Sequence, residues 1–260
     1  MGKKQQKYRV QKELVEPDAV KAACPVLRGR SGSNSADLPD YYFSNARKNK
    51  DTMTNILVTE NVIASESIMS LEDFLNYDDG TDARYELEDG RLLFMPSESY
   101  LNQRIATFLL IYFAQQGIPF YCLIVGMEVA VTGSRATVRV PDLIVLTEEL
   151  AQAMESATRS IVKSDMPPPR LVVEVVSPGR ENQERDYRYK RSQYQARGIA
   201  EYWIVDPIKQ QITVLNLVAG LYEETVFALE AQIVSALLSE LAPASPLTVA
   251  QVLQIETNRK

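Results

Sequence analysis

The chain has 260 residues, of which 45% are apolar and 24% charged, with a formal net charge of −6. That is enough to bury an ordinary core in one substantial α/β domain with extensions, or in two small domains. Histidine is absent, which excludes Ser-His-Asp and Cys-His catalysis, the His-containing zinc signatures and the usual neutral-pH proton shuttle.

Acid–base chemistry is therefore left to carboxylates, Lys, Tyr or metal-bound water. The two cysteines, Cys24 and Cys122, have neither metal-ligand nor disulfide-framework spacing. Cys122 sits in the apolar stretch 120–125 and reads as a small buried residue in a protein of the reducing cytoplasm. No window approaches the roughly 18 to 20 apolar residues that cross a bilayer, and the basic start MGKKQQKYRVQKELVEP lacks the apolar centre of a signal peptide. A cytoplasmic protein without a membrane partner is expected. Residues 1–50 hold 11 Lys and Arg against 5 Asp and Glu, and the remainder 17 against 29. If the acidic body binds a polyanion, it must use a local basic patch or bound cations.

In chain order, residues 1–52 lack sustained periodicity and carry turn-prone runs such as RGRSGSNSADLPD. They are expected to be disordered, or a non-native extension ahead of a start at Met53. Residues 53–67 read as a linker and 68–260 as the folded domain. SLEDFLNYD predicts a helix capped by Ser70. RYELEDGRLLFMP predicts a hairpin turning at Glu88-Asp89-Gly90. Residues 98–116 place apolar side chains at 101, 105, 108, 109, 112 and 113, the spacing of a one-faced helix ended by Gly117. Strands are expected at 120–125, 127–132 and 139–146, and a short helix at 147–157. LVVEVV (171–176) has the apolar run of a central strand covered on both faces. A tyrosine-rich helix is expected over 181–197, ending at Gly198. Strand EYWIVD (201–206), a hairpin of ITVLNL and LYEETVF, and a closing helix PLTVAQVLQI complete a mixed α/β domain with a central sheet flanked by helices. Trp203 belongs in the core.

The informative anomaly is a carboxylate inside apolar strands, and it occurs twice, at Asp142 and at Glu174. An ionised carboxylate buried without a partner costs several kcal/mol, so about that much must be recovered through pairing, protonation or a bound cation. Two acids suit Mg²⁺, which takes oxygen ligands and keeps several waters. The structural alternative is an ion pair of each acid with an arginine, Arg139 or Arg170. In RDYRYKRSQYQARG, Asp186 and Lys190 stand at i and i+4 on one helix face, with Tyr194 a turn further and Arg188 and Arg191 on other faces. A lysine beside two metal-holding acids could orient a water and neutralise charge on phosphate. The arginines and tyrosines of the helix could touch a nucleic-acid backbone. Glu86, in RYELEDG, is a third candidate acid, unless it is simply an exposed hairpin residue.

PD at 141–142, EVVSP at 174–178, DYRYK at 186–190 and GIAEYWIVDP at 198–207, with YELEDGRL at 85–92, resemble the Uma-two family of endonucleases. That family belongs to the PD-(D/E)xK, or restriction-endonuclease-like, superfamily. The resemblance covers about residues 68–255. It implies a central mixed sheet flanked by helices and Mg²⁺-dependent hydrolysis of DNA phosphodiesters, with one or two ions, or Mn²⁺ instead. Asp142 and Glu174 resemble the superfamily's metal-binding acids, with Glu86 as an upstream acid of the same cluster. The lysine expected two residues after the second acid is absent, since Val176 stands there, and Lys190 is the natural substitute. Asp186 would position Lys190, and Tyr194 and Arg191 are candidates for phosphate contact. Many nucleases of the superfamily cut as dimers, so the resemblance extends to a homodimer. Two other classes of function remain: a non-catalytic nucleic-acid- or protein-binding module on the same fold, and a glycosidase-like carboxylate pair, against which the single core tryptophan weighs.

Overall fold

The computed structural model describes residues 68–254, so the expectations for residues 1–52, the linker 53–67 and Cys24 lie outside the described residues. Ser70 opens helix α1 (Leu71–Leu75) with a reciprocal cap: its hydroxyl accepts the Asp73 N–H, and the Asp73 carboxylate accepts the Ser70 N–H. Strands β1 (Arg84–Glu88) and β2 (Arg91–Met95) form the expected hairpin. Asp89 and Gly90 both take positive φ, the geometry that matches the twist of the flanking strands.

Helix α2 (Tyr100–Gln115), capped by Ser99, buries Ile105, Leu109 and Phe113 as the spacing predicts. Leu101 stays partly exposed, and the inward place a turn before Ile105 goes to Asn102. The strand expected at 120–125 shrinks. Pro119 leads into a single 3₁₀ turn at Phe120–Cys122, and only β3 (Leu123–Ile124) is extended before β4 (Glu128–Val131). Cys122 is buried, as expected.

The run RVPDLIVL is not one strand. It breaks at Pro141 into β5 (Thr137–Arg139), which pairs with β1 and β4, and β6 (Leu143–Val145), which pairs with β3. Proline has no N–H to give a ladder, and here the chain changes sheets. The single central sheet expected from the sequence is therefore two sheets. After helix α3 (Glu148–Met154) and strand β7 (Ile161–Val162), strand β8 (Leu171–Val175) pairs with β6. The five-stranded sheet then has the order β2-β1-β5-β4-β7.

A long irregular helix follows β8: α4 (Arg180–Glu184), a π turn at Arg185–Lys190, and α5 (Arg191–Arg197), closed by Gly198 in the left-handed conformation. It crosses over to β9 (Glu201–Asp206), which lies parallel to β8. The hairpin β10 (Gln211–Val218) and β11 (Leu221–Ala228), a short helix α6 (Ala236–Leu241) that the sequence pattern did not suggest, and α7 (Val249–Leu253) finish the described chain. The six-stranded sheet runs β11-β10-β9-β8-β6-β3.

Every residue of β8 and β9 is buried, because both faces are covered. Alternation along β9 sorts the faces. Trp203 meets Phe113 of α2 edge-on, whereas Tyr202 meets Tyr194 of α5. Glu174 pairs in register with Ile204, so it shares the Tyr202 face and points toward the α4–α5 helix. No helix among the described residues is long and apolar enough to cross a membrane.

Phe113 and Trp203 are both fully buried and tie α2 to the sheet. Phe113→Ala should lower unfolding stability by about 3–5 kcal/mol in urea denaturation, the usual cost of an aromatic-sized cavity.

Candidate active site

The chemistry-bearing residues meet where the two sheets part. The register that pairs Leu143 with Val173 sets Asp142, just ahead of the paired segment, at the level of Glu174. The Val175 N–H donates to Asp142 Oδ2 at 2.6 Å, which fixes the aspartate to the neighbouring strand. No ion pair reaches Asp142 among the described residues, and it is half-buried. Its carboxyl is pushed well above the usual carboxylate range by burial and then by the charge of Glu174.

Glu174 has both oxygens engaged. Lys190 Nζ lies 2.7 Å from Oε2, and the Tyr194 hydroxyl donates to Oε1 at 2.6 Å. Burial raises its pKa, Lys190 opposes that, and Asp186 and Glu86 add to the rise. Lys190 is itself buried, with Asp186 Oδ1 at 3.4 Å and Glu86 Oε1 at 3.9 Å. Burial favours its neutral form, but the three acids outweigh burial and raise its pKa, so the ammonium persists.

Glu86 is no exposed hairpin residue; only 4% of it is accessible. Arg139 Nη1 donates to its Oε2 at 3.0 Å and the Val140 N–H to its Oε1 at 2.9 Å. Burial would raise its pKa, yet Lys190 and Arg139 hold it down to about 2. The arginine alternative raised for Asp142 and Glu174 is realised for neither, since Arg139 turns to the acids of β1. Arg139 serves Glu86 and Glu88 and also donates to Gln193, and Arg170 pairs with Glu240.

Two residues expected at a phosphate stand elsewhere. Tyr194 is fully buried and holds Glu174, because the helix turns it into the core beside Tyr202. Arg191 reaches away to Glu224 of β11. Asp186 does sit against Lys190, as the i,i+4 spacing implied. Val176, at the position where a lysine was expected, is buried on the Glu174 face. The ammonium arrives instead from the π turn, a helical irregularity frequent at functional sites.

Asn102 was missed as a site residue. Its amide donates to the Val175 carbonyl at 3.3 Å, Ser177 Oγ at 3.0 Å and Glu98 Oε2 at 3.3 Å, pinning the end of β8 to α2. A polar residue on the inward face of an amphipathic helix was the signal that could have found it.

These groups open onto a cavity of about 550 Å³. Eight carboxylates line it (Glu86, Glu88, Glu98, Asp142, Glu174, Glu181, Glu184 and Asp186) against two cations, Arg185 and Lys190. Among the described residues no three His, Cys, Asp or Glu side chains form a ready-made metal cage. A pair of acids with oxygen-only donors, one of them without a cationic partner, fits Mg²⁺, which usually takes one or two carboxylates and completes its shell with water and phosphate oxygens.

Fold and site together define a mixed α/β protein of two sheets flanked by helices, with an acid–lysine cluster at their junction. The chain belongs to the Uma2 family, described as "Putative restriction endonuclease", whose model matches residues 71–250. Its structure is similar to that of "a putative nuclease belonging to DUF820 from Anabaena variabilis", with 15% identity and a TM-score of 0.53 over 72% of this chain and 98% of that one. At that identity the likeness is one of fold. Among curated proteins none matches the sequence.

The raised carboxyls make the metal-free protein sensitive to pH. An acid with a raised native pKa keeps its proton in the fold at a pH where the unfolded chain has released it. Stability therefore falls as pH rises above the ordinary values of 3.8 for Asp142 and 4.5 for Glu174. Glu86 acts in the opposite sense: its contribution is present above 4.5 and is lost as pH falls toward 2. In EDTA, Asp142→Asn should raise the melting temperature at neutral pH and flatten its decline between acid and neutral pH. An unchanged profile in differential scanning calorimetry would contradict this assignment of charge.

Proposed function

We propose that the protein is a metal-dependent endonuclease that hydrolyses DNA phosphodiester bonds. The observation that carries this reading is the Glu174–Lys190 pair at 2.7 Å beside the unpaired Asp142, in a cavity too acidic to accept phosphate unaided. Family membership and the nuclease fold support it.

Asp142 and Glu174 would hold Mg²⁺, or Mn²⁺ in its place. A divalent ion bound there supplies Lewis acidity toward phosphate and makes water more acidic. The chain's own part is largely electrostatic. Lys190, kept protonated by its three acids, is a donor rather than a general base. It can orient the attacking water and stabilise charge growing on the phosphate oxygens. Asp186 and Glu86 hold the ammonium in place. Glu86, which accepts from Arg139 and the Val140 N–H, anchors Lys190 and Arg139 and would be the upstream acid of the same cluster. Tyr194 keeps Glu174 oriented from behind, and Asn102 keeps β8 against α2.

The test is cleavage of plasmid and linear DNA with Mg²⁺ or Mn²⁺, read on gels beside metal binding by calorimetry. Wild type should cut only with metal. Asp142→Asn and Glu174→Gln should lose both cutting and metal binding. Lys190→Met should lose roughly 10²–10³ in rate, the usual loss on removing one charge-stabilising donor, while still binding metal. Cleavage by Asp142→Asn at the wild-type rate, or none by wild type with either metal, would overturn the proposal.

A further inference from the structure

The cavity's two cations are not equivalent. Lys190 is spent on three carboxylates. Arg185, the first residue of the π turn, lines the same cavity, and its side chain remains 35% exposed. Its guanidinium makes no hydrogen bond among the described residues. The nearest carboxylate contact is Nε to Asp186 Oδ1 at 3.9 Å, and that buried Nε has no partner.

Unsatisfied buried donors carry a desolvation penalty; Arg104 and Arg197 also have a buried Nε without a partner, but neither lines the cavity. Arg139 has three side-chain partners, Arg159 holds Glu128 with both Nε and Nη2, and Arg197 donates to two backbone carbonyls. Arg185 alone combines a place on the cavity wall with unspent donors. Its charge is favoured by Glu86, Asp186 and Glu174, so it persists. A planar fork of N–H donors matches two oxygens of one phosphate, which a lysine cannot do.

We propose that Arg185 is the phosphate-contacting residue of this site, donating to the non-bridging oxygens of a nucleic-acid phosphate seated over Asp142 and Glu174. The assignment rests on the nuclease reading and gives it a substrate contact that Tyr194 and Arg191 do not supply. The competing role is electrostatic ballast, with Arg185 offsetting the acids around it and touching nothing.

The two roles separate in binding measured without cleavage. A fluorescent DNA duplex is titrated with wild type, Arg185→Gln and Arg185→Lys in Ca²⁺ over a series of salt concentrations, by anisotropy. Calcium affinity is measured in parallel by calorimetry, and folding by circular dichroism. A phosphate contact predicts roughly tenfold weaker DNA binding by Arg185→Gln and a salt slope smaller by about 0.9, with calcium affinity kept. Arg185→Lys should regain the slope but only part of the affinity. Ballast predicts altered thermal stability and calcium affinity with the salt slope unchanged, and that result overturns the assignment while leaving the nuclease reading intact. Wild type that binds no DNA in Ca²⁺ and cuts none in Mg²⁺ overturns both. Should Arg185→Gln unfold, Arg185→Lys decides alone: full wild-type affinity would overturn the bidentate contact.

Discussion

The whole site hangs on one buried cation. Lys190 lies in the protein interior at 4% exposure, where an ammonium without partners would cost several kcal/mol, about what its neutralisation by a shifted pKa avoids elsewhere. It stays charged because Glu174 comes from β8, Glu86 from β1 and Asp186 from its own helix. Each acid reaches the lysine from a different part of the fold: one sheet, the other sheet, and the crossover helix. The contact with Asp186 is local to the helix, but those with Glu174 and Glu86 cannot form until the helix has docked against both sheets. Removing any partner would strand the remaining charge, so the cluster is also a constraint on how the two sheets sit against one another.

That constraint explains why the chain breaks at Pro141. An unbroken strand from Arg139 to Leu146 would keep β5 and β6 in one sheet and fill the space that the cavity takes. With no N–H at Pro141 to continue a ladder, β5 pairs with β1 and β6 with β8. Arg139 is left facing Glu86, and Asp142, three residues on, faces the strand end that carries Glu174. One proline thus divides the positively braced half of the cluster from the half available to a metal ion. The π turn does the corresponding job on the helix, since it places Arg185 on the cavity wall and Lys190 within reach of Glu174.

Much of this was legible because burial of charge is expensive enough to leave a mark. Asp142 and Glu174 stood out as acids in apolar runs, whereas the expectation of a lysine at 176, with Lys190 as its substitute, came from the family resemblance. The capping residue Ser70, the Asp89-Gly90 turn and the inward stripe of α2 were local, and local rules found them. What escaped was anything set by a choice between faces. Tyr194, at i+4 from Lys190 on α5, does share its face, since both reach Glu174, but the sequence pattern does not say that this face is buried beside Tyr202. Arg191 was claimed by Glu224, thirty-three residues away on β11, a pairing that no helical spacing announces. Glu86 was a candidate acid that an exposed hairpin place would have explained as well, because its partner, Arg139, lies on a strand brought in by the second sheet pairing. Two sheets were read as one because 139–146 reads as a single apolar strand running through Pro141, the point where the chain leaves one sheet for another.

The acidity of the cavity bears on the order of events. Eight acids line the cavity against two cations, an excess of negative charge that Arg139, paired with Glu86 and Glu88, and Arg180, paired with Glu184, offset only in part. A focused field of that sign draws in divalent cations and repels a phosphate backbone. If the site holds a divalent ion as proposed, that ion would reduce the charge where a phosphate would lie, ahead of nucleic-acid binding. In such a site the metal is a condition for substrate binding as well as for chemistry, and metal and substrate affinities must be coupled by equal amounts in both directions. The net acidic body is then no argument against a nucleic-acid substrate.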